Sequence, residues 1–156
     1  MAESASASTI ATNRKARHDY HILETFEAGL VLKGTELKSI RAGKVNIADS
    51  FARLEKGEAF LHQADIALYD KGNVHNHDPR RVRKLLLNKA EILRLFQQTT
   101  LKGHTLIGLE MYWKRGHVKI LLGIAEGKTH GDKRQTIKNS EAQREMDRAI
   151  KNRLNR

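Results

Sequence analysis

The chain has 156 residues, with 29 Lys and Arg against 18 Asp and Glu and no cysteine. Its net charge of +11 favours a polyanionic partner, most simply RNA or DNA, and a basic surface that only maintains solubility is the open alternative. The lack of cysteine excludes disulfides, thiolate metal sites and cysteine nucleophiles. No run of about 18 apolar residues occurs, which disfavours a membrane-spanning helix and predicts a soluble, cytoplasmic protein.

The first half of the chain predicts strands that are interrupted by one short helix. Residues 1–12 are mostly Ala, Ser and Thr without a periodic apolar face, so we expect a disordered leader there. The next predicted elements are a long strand from Tyr20 to Leu32, a short helix around Leu37 that ends at Gly43, and a hairpin with its turn at Lys56-Gly57.

The second half predicts two helices followed by a second hairpin. Asp78-Pro79 has the order of a helix N-cap and a first helical residue, so a helix is predicted from Arg80. A capping-box pair starts another helix at Asn88, and residues 105–125 alternate apolar and polar side chains as a hairpin does. Antiparallel strands with inserted helices indicate an α+β fold, mainly β, with a small closed or partly closed barrel.

Residues 127–156 form a strongly basic tail with nine Lys and Arg against four Asp and Glu. A helix would gather a narrow apolar stripe in this tail from Ala142, Met146, Ala149, Ile150 and Leu154. Because so small a stripe cannot pack a stable core, we expect a tail that is disordered when free and helical along an anionic groove. A helix docked on the protein's own barrel is the alternative, and a membrane-surface helix is disfavoured because no aromatic residue follows Trp113.

Two clusters of cations are candidate phosphate contacts. The segment Asn13–Tyr20 places three cations beside an imidazole and a phenol, which can stack on exposed bases. The segment Arg80–Lys84 places four cations in the first turns of the predicted helix, where they oppose the helix dipole and where bound phosphate would offset that cost. Solvated basic surfaces are the alternative in both places.

The sequence carries no recognisable catalytic motif. His75 and His77, with Asp78 beside them, have a spacing that could bind a metal, but no further ligands with recognisable spacing complete a site. Phosphate loops, dinucleotide fingerprints and nucleophile elbows are all missing. We therefore expect no metal, no cofactor and no enzymatic activity. Two alternatives stay open: a ribosomal protein with a basic extension, and a ribonuclease that uses His18 or His117 as acid or base.

Short motifs from Asn13 onward occur in the order that one known family shows. They are Asn13–Tyr20, Phe26–Leu30, Glu36–Gly43, Asp78-Pro79 with Arg83–Asn88, Tyr112–Lys114, and Asp132–Arg134. In these motifs the sequence resembles the small protein B family, the tmRNA-binding (SsrA-binding) proteins of bacterial trans-translation. The resemblance rests on these motifs and their order along the chain, and not on amino-acid composition.

The resemblance implies both a fold and an activity. Residues 13–126 would form a barrel like the oligonucleotide-binding (OB) fold with flanking helices, and residues 127–156 would be the basic tail. The barrel would bind the tRNA-like domain of tmRNA and deliver it to a stalled ribosome, at the decoding centre of the small subunit. The tail would occupy the empty mRNA channel and become helical there. The protein would act as a monomer.

The cation clusters and the resemblance together assign the candidate site residues. The candidates for tmRNA binding are Asn13, Arg14, Lys15, Arg17, His18, Tyr20, Glu27, Arg83, Lys84, Leu86, Asn88, Lys114 and Lys119. The candidates for ribosome binding in the tail are Lys128, His130, Asp132, Lys133, Arg134, Met146, Ile150 and Lys151. Many family members have His directly before the Asp-Lys-Arg run, whereas this sequence has Gly131 there and His130 one position earlier.

Overall fold

Nine strands and four α-helices make up the structure, a computed structural model that describes residues 8–72, 76–127 and 130–154. The strands are β1 (Ser8–Thr12), β2 (Tyr20–Leu30), β3 (Val45–Asn46), β4 (Phe51–Glu55), β5 (Glu58–His62), β6 (Asp65–Ile66), β7 (Arg83–Leu86), β8 (Thr105–Lys114) and β9 (His117–Gly127). The helices are α1 (Arg14–Asp19), α2 (Gly34–Arg41), α3 (Lys89–Phe96), which continues into a π-helical turn (Gln97–Leu101), and α4 (His130–Leu154).

Six of these strands pair side by side until the sheet closes on itself. Their order is β8-β4-β5-β7-β2-β9, and β9 also pairs with β8, which completes the ring. Each of these pairings is antiparallel. Strand β1 pairs with β8 outside the ring, and β3 pairs with β6 in a separate small sheet. The predicted α+β, mainly β fold with a closed antiparallel sheet and flanking helices is confirmed.

Alternation along the strands builds the core inside the closed sheet. In β9 the side chains of Val118, Ile120, Leu122 and Ile124 are buried and belong to one cluster. Leu95 of α3 joins the same cluster. Because successive side chains of a strand point to opposite faces, the residues between these four lie on the outer face. The periodicity that predicted the hairpin over 105–125 is confirmed.

Sequence signals for turns and caps are confirmed at three places. Gly43 follows α2 with a φ of +74°, a left-handed conformation that glycine adopts at the least cost. The hairpin of β4 and β5 turns at Lys56-Gly57. At the start of α3, Asn88 Oδ1 accepts from the amide of Glu91 at 2.8 Å, and the Glu91 carboxylate accepts from the amide of Asn88 at 3.2 Å. These two hydrogen bonds form the predicted capping box.

The expected disordered leader is wrong for residues 8–12, which form β1. This strand pairs with the last part of β8, with Ser8 opposite Trp113. Strand β4 pairs with β8 only near Leu106, so the rest of that edge is available to β1. Because main-chain pairing satisfies N–H and C=O groups, it does not require an apolar periodicity in the added strand. Residues 1–7 lie outside the described residues.

The helix predicted from Arg80 is also wrong, because this segment turns and then enters strand β7. Apolar residues at 82, 85 and 86 have helical spacing, which misled the prediction. In β7, Arg83 and Leu85 are buried, whereas Lys84 and Leu86 are exposed, the alternation of a strand. This strand pairs with both β5 and β2 and so supplies the pairing that closes the sheet. That tertiary requirement overrides the local pattern.

The basic tail forms helix α4, and its apolar stripe is exposed. The exposed fractions are 60% for Met146, 55% for Ile150 and 81% for Leu154. The predicted helical periodicity is therefore present in this segment. Disorder of the free tail stays a prediction, as do the boundaries of the two regions at residues 13–126 and 127–156. Of the helices that the structure describes, none is both long enough and apolar enough to cross a lipid bilayer.

Candidate nucleic-acid interface

The outer face of strands β2, β9 and β8 has a covered half and an open half. Helix α1 packs on the covered half, where Ala16 is buried together with Ile107, Leu109 and Ala125 of the strands. Leu121 packs against this cluster and marks its edge. We call the other part the open half, which consists of the half-buried Glu27, Lys114 and Lys119, the buried Gly29 and Tyr112, and the exposed Leu86 of the neighbouring strand β7.

Strand register brings the open half together from four strands. Tyr112 lies opposite Lys119, Lys119 lies opposite Gly29, and Gly29 lies opposite Leu86. Residues two positions away on the same strands share this face, because side chains alternate. Four predicted RNA-binding residues are thereby brought to one surface: Glu27, Leu86, Lys114 and Lys119.

The Glu27 carboxylate is held by two donors from β8. The Tyr112 hydroxyl donates to Oε2, and Lys114 Nζ lies 3.2 Å from Oε2 and 3.3 Å from Oε1. The hydrogen bond from Tyr112 lowers the pKa of Glu27 more than partial burial raises it, and Lys114 and Lys119 lower it further. Burial and the adjacent carboxylate raise the pKa of the Tyr112 hydroxyl. At neutral pH an ionised carboxylate therefore accepts from a neutral phenol.

Gly29 allows Lys119 and Leu86 to approach the centre of the open half. A β-carbon at this position would lie 3.2 Å from Cβ of Leu86 and 3.6 Å from Lys119 Nζ. Leu86 itself is 54% exposed, although it occupies a strand of the closed sheet. The open half thus combines ammonium groups, one carboxylate and an exposed apolar side chain, which together can contact phosphate, ribose and bases.

Lys84 and Asn88 flank Leu86 along the chain, and both are exposed. Lys84 Nζ forms an ion pair with Glu58 at 3.1 Å, and exposed pairs of this kind contribute little to stability. Lys84 can therefore exchange Glu58 for a phosphate at low cost. Asn88 caps α3, so replacing it would remove about 1 kcal/mol of capping energy in addition to any contact with a ligand.

The direct RNA contact expected of Asn13 is wrong, because this residue is buried. Its Oδ1 accepts from the amide of Ala16 at 3.2 Å and so caps α1. Its Nδ2 donates to the carbonyl of Gly108 at 2.9 Å and to that of Ile47 at 3.4 Å. Asn13 therefore anchors the first turn of α1 to strand β8, and it affects the surface only by holding this helix in place.

Replacing Asn13 with alanine is expected to lower the free energy of unfolding by roughly 1–3 kcal/mol, because a cap and buried hydrogen bonds are lost together. Urea unfolding followed by circular dichroism measures this change. The matched control is Asn152→Ala, at an exposed position of α4, which should change stability by less than about 0.5 kcal/mol. A stable Asn13→Ala protein with weakened RNA binding would instead place Asn13 at the interface.

The remaining N-terminal candidates lie on or next to helix α1. Arg14, Lys15, Arg17 and His18 are exposed, and Tyr20 is half-buried against the covered half. His18 Nδ1 lies 2.8 Å from Asp19 Oδ1. Because α1 packs on the same three strands that form the open half, the cations of α1 and the open half belong to one side of the closed sheet.

The two histidines considered for ribonuclease chemistry are not brought together. His117 begins β9, whereas the residue after α1, Tyr20, pairs with Gly127 at the other end of β9. A strand of this length spans roughly 30 Å, since each residue advances it by about 3.3 Å. His18 and His117 therefore do not face one phosphodiester together, and the alternative in which one of them acts with a lysine stays open.

The phosphate contact expected of Arg83 is wrong, because its side chain is fully buried. Arg83 Nε donates to the Glu36 carboxylate, Nη1 donates to the carbonyl of Ala64 at 2.7 Å, and Nη2 donates to that of Pro79 at 3.0 Å. Arg81 also donates to Glu36. Burial would raise the pKa of Glu36, but hydrogen bonds from Lys33, Arg81 and Arg83 outweigh it and hold this pKa below its ordinary value. Of the four cations in the segment Arg80–Lys84, Arg81 and Arg83 thus pair with the buried Glu36 carboxylate.

Sequence reasoning missed the roles of Tyr112 and Glu36. Tyr112 belongs to the family motif Tyr112–Lys114, but only the strand pairing across β9 reveals that its hydroxyl reaches Glu27. Glu36 lies on a short helix that has exposed polar residues as well, so its complete burial has no local signal. One signal for Glu36 exists: it lies three residues after Lys33, and its carboxylate accepts from that main-chain amide at 2.9 Å, as in a capping box.

The tail candidates are only partly described. Arg134, Met146, Ile150 and Lys151 lie on α4 and are exposed. The predictions for Lys128 and for the side chains of His130, Asp132 and Lys133 lie outside the described part of the structure. The four described tail residues all lie on α4, outside the open half as defined above.

The histidines around Asp78 provide no metal site in what the structure describes. His77 is buried, with Nδ1 2.8 Å from Thr35 Oγ1 and Nε2 2.9 Å from the carbonyl of Ile66. Through these two ring nitrogens, His77 connects α2 to β6. His75 lies outside the described residues. Across residues 8–72, 76–127 and 130–154, no group of three or more His, Asp or Glu side chains is placed to hold a metal ion.

Comparisons with known proteins identify one family of similar chains. The family model described as SmpB protein matches residues 10–152. The SsrA-binding protein of Shouchella clausii (strain KSM-K16) is 54% identical over 154 residues, which cover 99% of this chain and 99% of that relative. The SsrA-binding protein of Anoxybacillus flavithermus is 58% identical over 144 residues, which cover 92% of this chain and 94% of that relative.

A solved structure is similar as well. It is described in the words "tmRNA-SmpB: a journey to the center of the bacterial ribosome". One of its chains is 53% identical to this chain and superimposes with a TM-score of 0.64. The match covers 81% of this chain and 92% of that chain.

Proposed function

The chain belongs to the SmpB protein family, and on this basis we propose that it is the RNA-binding adaptor of trans-translation. It binds the tRNA-like domain of tmRNA and carries it to ribosomes stalled on an mRNA without a stop codon. It catalyses no reaction itself, and it works in the cytoplasm as a monomer. Its partners are thus tmRNA and the small subunit of the ribosome.

The open half is the feature of this chain's surface that supports this proposal. It presents the half-buried Lys114 and Lys119 around a fixed carboxylate, with the exposed Leu86 beside them. Structured RNA offers phosphates and ribose hydroxyls more readily than base edges, so a surface of this composition recognises shape and backbone. The cations of α1 extend the same side of the molecule toward a longer stretch of RNA.

The tail is proposed to serve the ribosome and not tmRNA. Its basic face and its exposed stripe of Met146, Ile150 and Leu154 lie on one long helix, α4. Phosphates of ribosomal RNA in the empty mRNA channel would neutralise the basic face, and contacts along the channel would cover the stripe. We propose that Arg134 and its neighbours bind near the decoding centre, with Ile150 and Lys151 further along the channel.

Replacing Lys84 and Lys119 together with alanine tests the proposed RNA surface. The double variant should bind the tRNA-like domain more weakly, and the slope of log K against log salt should become shallower by roughly 0.7–0.9 for each lost phosphate contact. Filter binding or fluorescence anisotropy over a series of salt concentrations measures this.

The matched control for this experiment is the double variant Lys71→Ala and Lys102→Ala, which removes the same charge at exposed positions outside the open half. The control should keep the slope of the unchanged protein. Equal losses in the two double variants would mean that net charge alone attracts the RNA and that the open half is not the binding surface.

A further inference from the structure

We propose that Glu27 accepts a hydrogen bond from a ribose 2′-hydroxyl of the bound RNA, and that Tyr112 is the positioning residue that holds Glu27 for this contact. The inference rests on the proposed function, because it concerns how the open half recognises the same RNA. It gives these two residues the task of distinguishing ribose from deoxyribose.

A carboxylate on a phosphate-binding surface requires a compensating role. Phosphodiester oxygens only accept hydrogen bonds, so Glu27 repels them and cannot bind them. Yet Glu27 is fixed by Tyr112 and Lys114, and these contacts favour its ionised form. A fixed, charged acceptor is useful only toward a donor. In the backbone of RNA that donor is the 2′-hydroxyl, which DNA lacks.

The hydrogen-bonding capacity of the carboxylate favours the backbone over a base. Its two oxygens accept up to about four hydrogen bonds. Oε2 accepts from Tyr112 and Lys114, and Oε1 accepts from Lys114. Counting only contacts within the described residues, one acceptor position is left on Oε1. One position fits a single hydroxyl better than the two adjacent donors of an unpaired guanine, and the single donors of the other bases are distinguished from the hydroxyl by the deoxy substitutions below.

The two lysines bring a ribose to this position. Lys114 Nζ lies within 3.3 Å of both carboxylate oxygens, and Lys119 lowers the pKa of Glu27 through space. A phosphate held by these ammonium groups carries its own ribose, so the 2′-hydroxyl arrives beside Oε1. Tyr112 extends from β8 across β9 to β2. Loss of its hydroxyl leaves the carboxylate held by Lys114 alone and so less fixed in orientation, which is why Tyr112 acts through Glu27 without touching the RNA.

Single 2′-deoxy substitutions throughout a tRNA-like-domain RNA test the inference by affinity measurement. With the unchanged protein, at least one deoxy position should weaken binding by about tenfold, the effect of losing a hydrogen bond to a charged group. Tyr112→Phe and Glu27→Ala should bind the all-ribose RNA about tenfold more weakly and show no further loss at that position. Tyr69→Phe removes a hydroxyl away from the open half and should behave as the unchanged protein.

Each outcome of this experiment separates the inference from the proposed function. If the unchanged protein binds the RNA but no deoxy position matters, or if both variants keep the full deoxy penalty, the inference fails while the proposed function stands. If inosine in place of a guanosine produces the penalty and the variants abolish it, Glu27 binds a base and the inference also fails. No binding of the RNA by the unchanged protein would overturn the proposed function itself. Should Glu27→Ala not fold, Glu27→Gln is used, and it should keep part of the discrimination because its amide oxygen still accepts.

Discussion

Replacing Arg83 with alanine is expected to lower the free energy of unfolding by roughly 3–5 kcal/mol, the cost of breaking a buried ion pair by removing one of its members. The Glu36 carboxylate would remain enclosed, with Arg81 and the Lys33 amide as its remaining partners. The carbonyls of Ala64 and Pro79 would each lose a donor as well. Strand β7 would loosen, and with it the pairing that closes the sheet.

Chemical unfolding monitored by circular dichroism measures this loss. The control is Arg80→Ala, because Arg80 belongs to the same run of cations but is exposed, with its guanidinium 2.9 Å from Gln63 Oε1. The control should change stability by less than about 0.5 kcal/mol. If the Arg83→Ala protein is as stable as the control but binds RNA poorly, Arg83 contacts RNA and does not stabilise the fold through Glu36.

The pH dependence of stability provides an independent readout of the same cluster. The pKa of Glu36 in the folded protein lies below its ordinary value of 4.5, so its contribution is complete above that pH. It is lost as the pH falls through the lowered folded-state pKa. Arg83→Ala removes one of the groups that lower this pKa, so the variant should show a smaller acid-induced loss relative to its own stability at neutral pH.

Deleting residues 131–156 is expected to abolish peptide tagging on stalled ribosomes while leaving the affinity for the tRNA-like domain nearly unchanged. Helix α4 follows the closed sheet, and most of its described side chains are exposed, so its removal should not disturb the open half. Binding titrations and a tagging reaction with ribosomes stalled on a truncated mRNA measure the two effects separately.

A full-length variant in which residues 131–156 are scrambled is the matched control for composition. It keeps the charge of the tail but breaks the stripe formed by Met146 and Ile150, so it should bind tmRNA normally and fail in tagging. Loss of RNA affinity in the deletion would show that the tail belongs to the RNA-binding body. If the deletion variant supports normal tagging, the tail has no part in the proposed function.

Local patterns predicted the elements whose requirements are local. The alternation of β9 and the capping box at Asn88 each follow from neighbouring residues, and both are confirmed. Strand β7 has only four residues, and Leu85 within it and Val82 before it also fit a helix, so the local pattern could not decide between helix and strand and pairing with β5 and β2 did. Strand β1 is held by main-chain pairing along β8, which side-chain patterns do not reveal.

The candidate site was likewise predicted where its features are local in sequence and missed where they depend on strand pairing. Charge clusters identified the cations of α1 and Lys84, which are exposed. They also included Arg83, because a run of basic residues does not show which side chains alternate inward. The pairing of Glu27 with Tyr112 joins residues 85 positions apart, so it emerges only once β8, β9 and β2 are placed side by side.

The anchoring of α1 through Asn13 has a consequence for the rate and cost of association. Its first turn is tied to the carbonyl of Gly108, and Ala16 is buried against the strands. The helix and the neighbouring strand surface therefore form one preorganised block, whose conformational entropy was lost during folding. A ligand that touches both regions meets them already aligned, so docking requires no closing motion and little further ordering of the main chain.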